Sequence, residues 1–209
     1  MALAKVKSRV VTGTFTMSIP GGEVSGPVET FSQAPNKTRT LIRLDVSSLG
    51  AGQLVVDQRF DGNVGLILDS LQGNRDIAGN QLENLKNGSF PNPFLDDKEK
   101  GVAIDLGSRE KIDGRDAFLL IVKPRSGSVV REYIDAETYL ELRRVMTTDL
   151  PQVGALEQTT EFFDYRDVDG VKIPFRVTSV STAQTSSIVV TKVEHNVAID
   201  ETLFSKPAR

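Results

Sequence analysis

Period-two alternation of apolar and polar residues constrains this chain more than any other feature. In "VTGTFTMSI" the apolar residues are Val11, Phe15, Met17 and Ile19, and the intervening Thr12, Thr14, Thr16 and Ser18 are polar. That is the pattern of a strand with one dry face and one wet face. After the turn signal Pro20-Gly21-Gly22, "EVSGPVETFSQ" resumes an extended pattern. Further strand candidates are "TRTLIRLDV", "GQLVVDQRF", "NVGLILDS", "VAIDLG", "DAFLLIVKP", "VVREYID", "YLELRRVMTT", "EQTTEFFDYRDV", "VKIPFRVTSVS" and "SSIVVTKVEH". About eleven strands at this spacing read as a meandering antiparallel sheet. A chain of 209 residues fits one domain, 1–209, and is long enough to bury a substantial core.

Three Asp-Gly pairs, Asp61-Gly62, Asp113-Gly114 and Asp169-Gly170, punctuate the strands. A two-residue type I′ hairpin needs positive φ at both central positions, which Asp tolerates and Gly adopts freely. Calcium binding is the competing reading. With Gly170 as the sixth residue of an EF-hand loop, the first position falls on Tyr165 and the twelfth on Arg176, which breaks the ligand pattern. Gly62 and Gly114 fail in the same way. The pairs are expected to be hairpin corners.

Helix is scarce. "NRDIAGNQLENLKNG" sets Ile77, Leu82 and Leu85 on one side with Gly88 as a C-cap, and "ALAKVKSRV" brings Leu3, Val6 and Val10 near one face of a short N-terminal helix. The segment "GSFPNPFLDDKEKG" has neither pattern, yet it carries the apolar Phe90, Phe94 and Leu95, the residues expected to form a covering lid.

Composition excludes several classes of function. Lys plus Arg total 25 against 28 Asp plus Glu, interspersed, with a net charge of −3. The basic stripe of a nucleic-acid binder is missing, and so is a polybasic membrane patch. With no cysteine there are no disulfides, thiolate chemistry or cysteine-ligated metal. No apolar run approaches the roughly 20 residues that span a bilayer. "MALAKVKSRV" lacks the apolar core and cleavage site of a signal peptide, so the chain is read either as cytosolic or as having lost a leader.

No catalytic constellation stands out. The single histidine, His195, has no nucleophile-elbow serine and no second histidine to build a metal site with, and reads as a locally hydrogen-bonded edge residue. "GAGQ" leads into a strand rather than a helix N-terminus and is not a phosphate loop. Glu157 and Glu161 can be posed as an acid-base pair, but surface acids are abundant. No catalytic residue, metal site or cofactor is expected. What remains is apolar surface: a twisted sheet with two small helices leaves a concave face that a ligand can fill. Phe15, Met17, Phe31, Leu66, Leu68, Leu119, Ile121, Phe162 and Ile188 are the candidates for lining it.

The order of "ALAKVKSRVVTGTFT", "APNKTRTLIRL", "RFDGNVGLILDSLQGN" and the closing "IDETLFSKP" resembles the LolA/LolB superfamily of periplasmic lipoprotein carriers. The later phrases, from "KIDGRDAFLLIV" to "TKVEHNVAIDETLFSKP", are closer to secreted bacterial members of uncharacterised function. The resemblance covers most of the chain. It implies a mainly β (α+β) fold, an incomplete antiparallel β-barrel of about eleven strands wrapped over a few short lid helices. It also implies a non-enzymatic protein in the periplasm, its signal peptide removed, that binds a lipid or lipoprotein acyl chain. An inner- or outer-membrane protein is then a possible partner, and nucleic acid is not. The alternative use of such a half-barrel is as an envelope interaction module that docks a protein. Ala34 stands before Pro35 where the carriers have an arginine, Leu66 stands where they have an aromatic after the Asp-Gly turn, and the chain has no Trp.

Overall fold

The computed structural model describes residues 3–19, 22–47, 50, 52–88, 90–92, 94, 101–150, 154–182 and 184–207. Thirteen strands form one antiparallel sheet. They are β1 (Ser8–Ile19), β2 (Gly22–Gln33), β3 (Lys37–Asp45), β4 (Gln53–Phe60), β5 (Gly65–Asp69), β6 (Arg75–Ile77), β7 (Ala103–Ile112), β8 (Arg115–Lys123), β9 (Val130–Asp135), β10 (Glu141–Leu150), β11 (Gly154–Val168), β12 (Val171–Ser181) and β13 (Thr185–His195). A single α-helix, α1 (Gly79–Asn87), and two short 3-10 turns, Leu3–Lys5 and Glu201–Leu203, complete the described structure.

The sheet order is β6-β5-β4-β3-β2-β1-β13-β12-β11-β10-β9-β8-β7. Two meanders therefore run outward from the β1–β13 pair, and the two free edges, β6 and β7, are neighbours in sequence. The chain between them carries α1 and must cross the open mouth of the sheet. This is an incomplete barrel, and its topology puts the lid over the gap.

Directly paired residues of an antiparallel ladder share a face, so register separates the two surfaces. The concave face carries Phe15, Val28, Ile42, Val56, Gln58, Phe60 and Ile67 in the first meander. It carries Ile188, Val177, Phe162, Arg144, Glu132 and Leu120 in the second. Inward-facing glycines allow the curvature. A Cβ on Gly26 would lie 2.0 Å from the Arg43 carbonyl oxygen, and one on Gly13 would lie 2.4 Å from that of Val189. At both positions only glycine admits so close an approach of the neighbouring backbone.

The core is split into clusters. Val24, Leu44 and Val46, flanked by Phe15, Met17 and Ile19, fill one end of the concave face. Val6, Val171, Ile173, Phe175 and Val190, flanked by Leu3, Val11, Phe90 and Ile188, fill another part of it. On the convex face the C-terminal segment is tied across β3 and β4: Lys37 pairs with Glu201 at 2.8 Å, and Arg59 Nη1 donates to the Ser205 carbonyl at 2.9 Å. The same segment holds Phe204 fully buried. Beside it the buried Asp57 accepts from Arg39 and Arg59 at 2.8–3.1 Å.

Three details depart from the sequence reading. Thirteen strands form rather than about eleven, in part because Arg75–Ile77, expected as helix, pairs with β5. Ile77 sits opposite Gly65, in the space a larger residue would occupy, and α1 begins only after it. The N-terminal helix is a three-residue 3-10 turn, with Val10 already in β1. Two Asp-Gly pairs are two-residue hairpins with positive φ at both residues (49° and 83°; 53° and 77°). At Asp61 the connection is instead a four-residue loop, because the Asp61 carboxylate accepts the Asn63 and Val64 amides and winds the chain around itself.

Candidate functional site

Nine residues of helix are marginal alone, and the helix N-cap, Ala78, offers no side-chain acceptor. Tertiary ties hold α1 in place. Asn84 Nδ2 donates to Ser128 Oγ at 3.0 Å while its Oδ1 accepts the Ser128 amide at 2.7 Å. Asn87 donates to the Ser126 carbonyl at 2.7 Å, and Ser126 Oγ donates to Glu83 at 2.6 Å. On the other side Leu85 reaches β5, where a Cβ on Gly65 would lie 3.2 Å from its Cδ1. The helix thus spans from β5 to the β8–β9 loop. The Phe90 amide donates to the Pro35 carbonyl at 2.7 Å, which ties the chain after α1 to the β2–β3 turn.

Beneath this roof lies a cleft with two lobes. The first, about 410 Å³, is bounded by α1 (Gln81, Asn84, Leu85), Phe94, and inward residues of β8 to β11: Val122, Val130, Glu132, Arg144, Met146, Leu156 and Gln158. Gln58 of β4 closes it from the opposite meander, which shows how far the sheet curls. The second, about 670 Å³, is bounded by Leu3, Arg9, Pro91, Asn92, Leu120, Ile134, Tyr139, Leu140, Glu141, Tyr165 and Ile173, among others. Phe94 and Glu132 border both lobes. Each volume falls within the range of ligand-binding clefts.

A charged cluster forms the floor where the lobes meet. Arg144 Nε lies 3.3 Å from Glu132 Oε1, and Arg144 Nη2 lies 3.0 Å from Glu141 Oε1. The Tyr165 hydroxyl donates to the Glu141 carbonyl at 2.8 Å. The Glu132 side chain is 5% exposed, whereas a third of the Arg144 side chain, which lines the first lobe, remains open. Burial pushes the Glu141 carboxyl up to about 7, with Glu132 adding to the rise against the pull of Arg144. Burial also raises Glu132, again against Arg144. Burial opposes the Arg144 charge, but Glu141 and Glu132 outweigh it and hold the guanidinium charged. Glu141 Oε1 and Arg144 Nε are buried without hydrogen-bond geometry, so the cluster is paired but incompletely satisfied.

Arg9 and His195 stand at the wall of the second lobe. Arg9 Nε donates to His195 Nε2 at 3.0 Å, and His195 Nδ1 lies 3.2 Å from Asp169 Oδ2. The histidine side chain is 2% exposed and is held by partners distant in sequence, not by local edge contacts. Burial and the adjacent Arg9 lower its pKa below the ordinary histidine value, against Asp169. Glu157 and Glu161 face the convex side and are paired with Arg131 and Arg143. Among the described residues no group of three or more histidine or carboxylate side chains is arranged to hold a metal ion.

Register divides the nine lining candidates. Phe15, Met17, Phe162 and Ile188 are on the concave face. Phe31, Leu66, Leu68, Leu119 and Ile121 are on the convex face. Phe31 lies under the Arg39 guanidinium, and Leu66 and Leu68 border a groove of about 500 Å³ beside Lys206 and Pro207. None of the nine borders either lobe; Leu120 and Val122, one residue from Leu119 and Ile121, point inward instead. Of the lid candidates, Phe94 borders both lobes, Phe90 packs on the cluster around Val6 and over Arg9 (5.2 Å from its ring centre), and Leu95 lies outside the described residues.

No protein-family model matches the chain, and no curated protein matches it by sequence. Solved structures match its fold. A LolA superfamily protein from Nitrosomonas europaea superposes with a TM-score of 0.62 at 13% identity, over 97% of this chain and 91% of that one. A DUF1329 family protein from Desulfovibrio piger gives 0.64 at 15% identity, over 97% and 91%. An outer membrane lipoprotein-sorting protein domain from Vibrio parahaemolyticus gives 0.62 at 14% identity, over 95% and 89%. The chain has a LolA-type fold.

Proposed function

We propose that this protein binds an acyl chain in the cleft beneath α1 and serves as a non-enzymatic carrier of a lipid or lipoprotein acyl group in the periplasm. The observation that carries the reading is the cleft itself, which lies between the sheet and a helix tied to the β8–β9 loop through Asn84 and Asn87. Leu85, Phe94, Val122, Val130, Met146 and Leu156 give the first lobe an apolar wall against which a chain can lie. Each methylene buried there contributes about 0.8 kcal/mol, so a handful outweighs any one hydrogen bond at about 1 kcal/mol. The polar residues of α1 and the Glu132–Arg144–Glu141 floor then set orientation rather than supply the main driving force. The fold shared with an outer membrane lipoprotein-sorting protein domain is in keeping with this reading.

Native mass spectrometry of delipidated protein titrated with an acylated peptide tests this. The expected result is a saturable one-to-one adduct that Met146→Trp weakens by filling the first lobe. Absence of any adduct with acylated peptide, fatty acid or phospholipid overturns the proposal.

A further inference from the structure

One charged group in the cleft has no counter-charge. Arg9 borders the second lobe, and its Nη2 is buried with no hydrogen-bond partner. Its other contacts are neutral: Nε donates to His195, and the Phe90 ring stacks 5.2 Å away. His195 accepts through Nε2, so its ring proton is on Nδ1 and directed at Asp169; the Asp169 charge is thereby turned toward the histidine. Among the described residues Arg9 forms no ion pair, and burial alone lowers its pKa to about 10. A buried guanidinium without an anion is costly, and a ligand that supplies one recovers the loss.

We propose that Arg9 receives the carboxylate of a single-chain anionic amphiphile whose hydrocarbon tail passes Phe94 into the lobe under α1. This rests on the acyl-binding reading above and names the ligand's class. The shared border of the lobes at Phe94 and Glu132 gives the tail its route. A guanidinium N–H donates a charge-assisted hydrogen bond to a carboxylate. Glu132 and Glu141 border the same lobe, which favours a monoanion over a doubly charged phosphate. Their repulsion of a carboxylate is limited, because both are paired with Arg144.

Titration calorimetry below the critical micelle concentration, with tetradecanoate, tetradecanol, tetradecyl phosphate and tetradecylamine, tests the assignment. The wild-type protein is expected to bind tetradecanoate at least tenfold more tightly than tetradecanol, or about 1.4 kcal/mol. It is also expected to prefer tetradecanoate to the phosphate and the amine. Arg9→Gln is expected to erase the preference for the acid over the alcohol, and Arg9→Lys to restore part of it. Equal wild-type affinity for acid and alcohol overturns the proposal, as does a preference that survives in Arg9→Gln. The wild-type series is decisive even where a variant fails to fold. Binding of tetradecanol without a preference for the acid removes only the headgroup assignment; failure of all four probes to bind removes the acyl-binding reading with it.

Discussion

Replacing Arg144 with methionine keeps an unbranched stem in the cleft floor but leaves Glu132 and Glu141 without their cation. At separations of 3.3 and 3.0 Å each ion pair contributes about 5 kcal/mol of attraction at an effective dielectric constant near 20. Desolvation costs several kcal/mol per ion, so the intact cluster nets little. Removing one partner is different, because two buried carboxylates remain without compensation, at a cost of about 3–5 kcal/mol. Protonation relieves that cost. A carboxyl whose pKa is raised on folding gives its full stability below its unfolded value and loses it as pH climbs through the folded value. In the wild-type protein Glu141 already sits at about 7 against an ordinary 4.5, so some stability is lost over that window. Without Arg144 both carboxyls rise further. Urea unfolding followed by circular dichroism should therefore show Arg144→Met about 3–5 kcal/mol less stable than wild type at pH 8, and about 1–2 kcal/mol at pH 5. Adding Glu132→Gln and Glu141→Gln should restore most of the pH 8 loss. An equal deficit at both pH values, or a triple variant no better than the single one, would refute this account of the floor.

The convex face gives two further tests and the sheet's curvature a third. Asp57→Asn leaves Arg39 and Arg59 buried without a counter-charge and should cost about 3–5 kcal/mol in urea unfolding at pH 7. Burial opposes the Asp57 charge but the two arginines outweigh it and hold its pKa below the ordinary carboxylate value; this contribution is present above about pH 4, is lost on acidification, and should be absent from the variant's pH profile. Phe204→Ala should lose about 3–5 kcal/mol by opening a cavity in the clamp over β3 and β4, read from the same transition. Gly26→Ala places a Cβ 2.0 Å from a backbone carbonyl that no side-chain rotation can move aside, so a loss of about 1–3 kcal/mol and a lower Tm are expected.

How much of the fold and the cleft is legible in the sequence depends on the strand. From Thr14 to Ile19 in β1 the alternation is strict, so it alone assigns Phe15 and Met17 to one face. "AFLLIV" in β8 and "LIL" in β5 are apolar without interruption, and an error of one residue exchanges the faces. That is why Leu119, Ile121, Leu66 and Leu68 are outside while Leu120 and Val122 line the cleft. The charged floor is hidden by a bulge. Glu141 and Arg144 are three residues apart and would face opposite ways in a regular strand, but the register shifts between Glu141 and Arg143 and turns both inward. One signal is present: Glu132 interrupts the apolar parity of Val130 and Ile134. Arg9 carries no local mark, because its isolation follows from His195 and Phe90, which are remote in the chain. The hairpins at Asp113 and Asp169 are fully local in origin, whereas the Asp61 loop depends on where one carboxylate turns.

Occupancy of the cleft can be read directly, since the chain contains no tryptophan. A single reporter placed by Leu156→Trp lies in the lobe under α1, and one placed by Val180→Trp lies on the exposed convex face. Titration with a bromine-labelled fatty acid should quench the first saturably, at one equivalent, and leave the second unchanged. No saturable quenching at Leu156→Trp, or equal quenching at both positions, would contradict the claim that the concave cleft is where this protein holds its ligand.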